Sequence, residues 1–113
     1  LKLFTDPYEN WQLAAEMLTK EMKTGACIVV APSDQRPLYS CFQPQLNASS
    51  CRNNRVALAV TPYCSSGQFQ SANRLLIADG YRQDASMMSV GKTRIYYFRR
   101  NGNNFLYLRP GKQ

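Results

Sequence analysis

The chain has 113 residues and a net charge of +7, from 14 Lys and Arg against 7 Asp and Glu, and 44% of its residues are hydrophobic. This length fits a single domain, residues 1–113, and excludes a two-domain enzyme with a cleft between its domains. The hydrophobic content excludes a disordered chain. The absence of histidine removes the usual general base near neutral pH and the commonest metal ligand.

The start of the chain and its apolar runs bear on its location. It begins at Leu1 rather than Met, without the basic and apolar regions of a signal peptide, as in a mature form from which a signal peptide has been removed. The longest apolar runs, Ala26–Ala31 and Val56–Val60, are only as long as strands, so no membrane span is predicted. We therefore expect a secreted or periplasmic protein.

The first predicted element is a helix over residues 7–23. Asp6 is a good N-cap, Pro7 suits the first helical position, and Glu9 stands where a capping box needs a carboxylate. Apolar residues follow at spacings of three and four: Tyr8, Trp11, Ala15, Leu18 and Met22. Thr24-Gly25 ends the pattern. The stripe predicts one buried face, packed on a sheet.

Strand patterns follow the helix. Cys27–Ala31 is a short apolar run ended by Pro32, and residues 34–37 resemble a turn from which Leu38–Phe42 pairs back. The next strand, Val56–Val60, has large residues on one face and alanines on the other. The small face suits the close approach of a helix.

The second half of the chain predicts more strands. Residues 71–78 fit either a short helix or a strand, and the run at 75–77 favours the strand. A hairpin is predicted from Ser86–Val90 and Thr93–Arg100, joined at Gly91-Lys92. The predicted fold is thus α+β: one N-terminal helix on an antiparallel sheet of about five to six strands, held by disulfides.

Four cysteines, an even number in a short chain, predict two disulfides in an oxidising compartment. Of the three pairings, we favour Cys41–Cys51, which closes a polar loop, together with Cys27–Cys64. The alternatives are four reduced thiols, or a zinc site. The chain lacks both C-x-x-C pairs and histidine, which disfavours zinc, so no metal or other cofactor is predicted.

Asn101-Gly102 is the strongest turn signal in the chain, and it predicts a hairpin that joins Arg94–Arg100 to Phe105–Arg109. Alternate residues of the two strands share a face. One face is mainly aliphatic and suits the core. The other combines aromatic rings with arginines: Arg94, Tyr96, Phe98, Arg100, Phe105, Tyr107 and Arg109.

This aromatic face has two interpretations. If the face is exposed, its rings would stack on bases or sugars and its arginines would bind phosphates or carboxylates. Alternatively, it is buried beneath the N-terminal helix or a long loop, and its aromatic pairs only stabilise the sheet. The charge distribution keeps the first interpretation open, because residues 52–113 carry ten basic side chains against Asp79 and Asp84. Such a field favours an acidic partner and salt-sensitive binding.

Catalytic patterns are absent from the sequence. The few carboxylates lie on the predicted helix or in turn-like segments, and Cys27 has no histidine to activate it. The leading hypothesis is a non-catalytic binding module, of the inhibitor, toxin-neutralising or secretion- or conjugation-machinery subunit type. It would engage an acidic protein through the residues of the aromatic face. The alternatives are a nucleic-acid-binding domain or histidine-free nuclease that uses the same hairpin, and a structural subunit of a larger assembly.

Overall fold

The computed structural model describes residues 2–47 and 54–101. Three helices and four strands follow one another: α1 (Lys2–Lys23), β1 (Cys27–Ala31), α2 (Pro37–Ser40), β2 (Arg55–Val60), α3 (Ser66–Ala78), β3 (Arg82–Val90) and β4 (Thr93–Arg99). Short 3₁₀ turns at Ser33–Gln35 and Pro44–Asn47 flank α2. The fold is α+β, as predicted. The prediction of a single helix and five to six strands is wrong for these residues.

The described strands form one mixed sheet in the order β1-β2-β4-β3. β1 pairs with β2 in parallel, from Cys27 opposite Val56 to Ala31 opposite Val60, whereas the β2–β4 and β4–β3 pairs are antiparallel. The purely antiparallel sheet is therefore a wrong prediction. Two parallel strands need a long crossover, and the segment that contains α2 supplies it.

One face of the sheet packs against α1. Ala14, Ala15 and Leu18 are fully buried in one cluster with Ala57 and Ala59 of β2. The prediction that the alanine face of this strand lies beneath a helix is confirmed. Small side chains on both elements allow a close approach, and burial of the Leu18 side chain stabilises the contact by about 2 kcal/mol. The helix itself begins at Lys2, earlier than predicted, so Asp6 is not its N-cap.

The opposite face of the sheet packs against α3. Ser65 caps this helix: its Oγ accepts from Gln68 N (3.1 Å), and Gln68 Oε1 accepts from Ser65 N (2.9 Å). Leu76 of the helix is buried with Leu58 of β2 and Phe98 of β4. The predicted strand at residues 71–78 is wrong, because the capping box starts a helix at Ser66, five residues earlier, and this helix continues through the apolar run.

The predicted strand Leu38–Phe42 is also wrong, since α2 occupies most of it. Pro37 stands at the start of this helical turn, where its lack of an N–H costs nothing. Tyr39 is 1% exposed and packs beneath α1, and its Oη lies 2.8 Å from Thr93 Oγ1 of β4. The turn predicted at residues 34–37 thus begins a crossover instead of a hairpin.

The hairpin at Gly91-Lys92 is confirmed, with β3 ending at Val90 and β4 beginning at Thr93. Gly91 has a φ of +62°, which glycine adopts readily. The second predicted hairpin needs residues 105–109, which lie outside the described residues. β4 is already paired on both sides, with β2 and with β3, along most of its length. Neither edge of β4 is therefore available to a further strand there.

Neither predicted disulfide is present. Cys41 and Cys64 are free thiols, which excludes both Cys41–Cys51 and Cys27–Cys64. Cys41 is exposed after α2, and Cys64 lies just before α3. Cys27 is buried at the start of β1 and is not one of the free thiols, and Cys51 lies outside the described residues. The two predicted pairings therefore do not stabilise this sheet.

Within residues 2–47 and 54–101, no helix combines the length and the apolar character that a bilayer crossing requires.

Candidate functional site

The two described rings of the predicted aromatic face are buried or half-buried. Phe98 is 1% exposed, and its side chain belongs to the core between α3 and the sheet. Tyr96 is half-buried, with its ring centroid 5.1 Å from that of Phe69 on α3. Helix α3, which stands in place of the strand favoured at residues 71–78, therefore occupies the place where a ligand would stack. Of the alternatives, burial describes these two rings better than an exposed platform.

The two described arginines of this face have different environments. Arg94 is exposed, and its Nη1 donates to Tyr96 Oη (3.2 Å). Arg100 lies against the core, with its guanidinium carbon 4.5 Å from the centroid of Tyr81 and its Nη1 donating to Asp79 O (3.1 Å). Arg100 thus stabilises the end of α3, while Arg94 remains accessible to a partner. The other predicted contacts, Phe105, Tyr107 and Arg109, lie outside the described residues.

A groove of about 680 Å³ lies between α3 and β1, and we call it the α3–β1 groove. Its volume lies in the usual range for ligand sites. None of the described side chains that line it is charged: Val29, Val30, Ala31, Pro32, Ser33, Ser65, Gly67, Gln68, Ser71, Ala72, Leu75 and Leu76. Leu75 is 72% exposed at its rim. A large apolar side chain beside an apolar groove is typical of a contact surface.

The backbone of β1 borders this groove, and no described strand lies on its outer side. Ala31 O accepts from Thr61 N (3.1 Å), so Ala31 directs its backbone groups toward β2. Because successive residues of a strand alternate, Ile28 and Val30 direct theirs outward. Arg36 Nη2 donates to Ile28 O (2.6 Å) and thereby occupies one outward carbonyl. Val30 likewise directs its N–H and C=O away from β2, and the whole residue is 3% exposed.

The other edge of the sheet is less suited to pairing. β3 is mostly exposed, but its pairing with β4 is irregular between Gln83 and Met87. A bulge of this kind is a common device against edge-to-edge pairing. Asp84 lies in this stretch, with its carboxylate 3.7 Å from Arg99. The regular part of β1 is therefore the better template for an added strand.

Positive charge lies near one end of the α3–β1 groove. Cys64, directly before the lining residue Ser65, has its pKa raised by burial, and the nearby charge of Arg94 acts in the opposite direction. Arg94 also donates to Tyr96, whose ring packs against Phe69 of α3, so the guanidinium lies beside this helix. Three other arginines are already in ion pairs: Arg55 with Glu21, Arg99 with Asp84, and Arg100 with Asp79.

A second concavity of about 420 Å³ shares no lining residue with the groove. We call it the aromatic pocket. Its lining comes from α1, from the crossover and from the turn after β2: Trp11, Asp34, Gln35, Pro37, Leu38, Cys41, Phe42 and Tyr63. The three rings come from segments that are distant in the sequence. No spacing pattern could have brought them together before the fold was known.

The described residues hold no group of three or more acidic or cysteine side chains that could bind a metal ion. One local signal in the sequence could have indicated the α3–β1 groove, because Ser65 and Gln68 match the capping-box spacing. That signal predicts α3, and a helix at this place creates the groove. Comparison of the chain with known protein families, characterised proteins and solved structures finds no match.

Proposed function

We propose that this chain is a non-catalytic protein-binding module that takes up an extended, acidic segment of a partner in the α3–β1 groove. The position of β1 at the edge of the described sheet, beside an apolar groove, is the observation that carries the proposal. Strand addition at an exposed sheet edge is a common mode of peptide recognition. Backbone hydrogen bonds supply affinity in this mode, and side-chain pockets supply specificity.

The contacts of β1 define how such a segment binds. One partner residue exchanges hydrogen bonds with the N–H and C=O of Val30. Arg36 holds the carbonyl of Ile28, so pairing is confined to the C-terminal half of the strand. Every second partner side chain then points into the groove, where Val29, Ala72 and Leu75 offer apolar contacts. A short segment with alternate apolar residues fits best.

Charge favours an acidic partner. The chain carries a net charge of +7, and Arg94 lies near the start of α3 without an ion pair among the described residues. Salt screens the attraction between these exposed positive charges and an acidic partner, so binding weakens as ionic strength rises. The alternative of nucleic-acid binding by base stacking has less support, because Phe98 is buried. The secreted or periplasmic location stays a prediction.

The test uses random peptides displayed on phage, selected on the folded chain, and then synthesised for measurement of Kd. Leu75 and Ile77 lie on the same helix and are 72% and 45% exposed, but only Leu75 lines the groove. We expect Leu75→Asp to weaken binding of an acidic peptide at least tenfold, because it adds a carboxylate and removes an apolar contact. Ile77→Asp is the matched control and leaves Kd within about twofold.

A second measurement addresses the backbone contact. Methylation of one peptide nitrogen at a time removes one hydrogen-bond donor each. Strand addition predicts that methylation at one central position weakens binding far more than methylation at its neighbours. The proposal fails if no peptide is enriched, if Leu75→Asp and Ile77→Asp bind equally, or if affinity does not fall with salt.

A further inference from the structure

The aromatic pocket is built on a fixed ring. The centroids of Trp11 and Tyr39 are 5.7 Å apart with the rings inclined at 73°, an edge-to-face contact. Tyr39 is held in turn by its hydrogen bond to Thr93 of β4. The indole of α1 therefore rests on a buried ring that is anchored to the central strand. Such support gives a ligand a preformed surface.

The second wall of the pocket is Tyr63, which is 64% exposed. Its ring centroid lies 6.2 Å from that of Trp11, and the two planes are inclined at 33°. Thr61 fixes this turn: its Oγ1 donates to Gln35 Oε1 (2.6 Å) and accepts from Tyr63 N (3.2 Å). The turn after β2 and the turn after β1 are thus tied together. The two rings form an open shelf, too close for a ligand to enter between them.

A carboxylate completes the pocket. Asp34 lines it, is exposed, and makes neither a hydrogen bond nor an ion pair to any described residue. None of the described residues that line the pocket is basic. Arg36 is close in sequence, but its guanidinium donates to the carbonyls of Ile28 and Leu46. In a chain with a net charge of +7, this pocket is a site of local negative charge.

We propose that the aromatic pocket binds a compact organic cation with an apolar body, of the quaternary or methylated ammonium class. Faces of Trp and Tyr attract cations, and methyl groups on the cation match the apolar side chains of Leu38 and Phe42. Asp34 adds Coulomb attraction without a tight ion pair. This site is independent of the α3–β1 groove.

A sugar ring fits the pocket less well, although sugars also stack on aromatic side chains. A sugar needs several hydrogen-bonding groups around its hydroxyls, and the polar side chains among the lining residues are few. Gln35 is one of them, but its Oε1 already accepts from Thr61. Rings and one carboxylate, with little else that is polar, are the groups that a methylated cation needs.

Trp11 is the only tryptophan of the chain, so its fluorescence reports on this pocket alone. The experiment titrates the full chain with choline and, separately, with its neutral isostere 3,3-dimethylbutan-1-ol, at constant ionic strength. We expect a saturable change with choline and a Kd for the neutral isostere about tenfold higher. Asp34→Asn should weaken choline binding about fivefold. The control Asp84→Asn alters a carboxylate outside the pocket and should leave Kd unchanged.

The proposal is overturned if choline gives no saturable change up to about 50 mM. It is also overturned if the neutral isostere binds as well as choline, which would indicate an apolar pocket only. Equal affinity of Asp34→Asn and the unmodified chain would remove the role of the carboxylate. Circular dichroism of each variant checks that the fold is retained.

Discussion

The hydrogen bond between Tyr39 Oη and Thr93 Oγ1 (2.8 Å) joins α2 to the central strand across 54 positions of sequence. Both side chains are 1% exposed, so water cannot replace a lost partner. Tyr39→Phe removes one hydroxyl and leaves the other buried and unpaired. We expect a loss of about 1–2 kcal/mol in the free energy of unfolding. The thermal midpoint should fall by about 4–8 °C for each kcal/mol of that loss.

The reverse substitution, Thr93→Val, leaves the Tyr39 hydroxyl unpaired and should cost a similar amount. In the double variant no unpaired hydroxyl remains, so its loss should be smaller than the sum of the two single losses by about 1 kcal/mol. Urea unfolding followed by circular dichroism measures all four proteins. Tyr63→Phe removes an exposed hydroxyl and serves as the control, within about 0.5 kcal/mol of the unmodified chain. Strictly additive losses, or equal losses from Tyr39→Phe and Tyr63→Phe, would refute the reasoning.

Two further predictions concern ionisable groups. Burial raises the pKa of Tyr39 to about 12, with the Thr93 hydrogen bond opposing, whereas an unfolded tyrosine ionises near 10. Its contribution to stability is complete below about pH 10 and is lost as the pH rises toward 12. Urea unfolding should therefore show a fall in the free energy of unfolding on the order of 2 kcal/mol over this range, and a smaller fall in Tyr39→Phe. An identical fall in both proteins would contradict this. Without reductant, an alkylating reagent should label exposed Cys41 faster than Cys64, whose pKa burial raises. Mass spectrometry of digested samples measures the two rates, and equal rates would count against this assignment.

The parts of the fold that follow from local pattern were predictable. The apolar stripe through Ala15 and Leu18 defines the buried face of α1, and the alternation in Val56–Val60 indicates that its alanines face a helix. Glycine at position 91 marks the β3–β4 turn. In each case, residues close in the sequence determine the feature. Helix α3 had such a local signal too, at Ser65 and Gln68, but the apolar run after it resembles a strand.

The partnering of strands and the binding sites depend on contacts between distant segments. Nothing within Cys27–Ala31 distinguishes a parallel partner from an antiparallel one, because the decision rests on whether the next segment turns or crosses over. The burial of Phe98 follows from α3, which comes earlier in the chain and packs across it. Trp11 and Tyr63 meet only because α1 and the turn after β2 lie at the same end of the sheet.

The position of β4 has a consequence for synthesis on the ribosome. Of the described strands it is the last in the chain, yet it lies between β2 and β3. While residues before Thr93 emerge, β2 can pair only with β1, and β3 has no partner among the described strands. The sheet is completed only after Arg99 has left the exit tunnel, so folding of these residues should be dominated by contacts between distant positions. Until then, the apolar residues of β2 need protection from other chains.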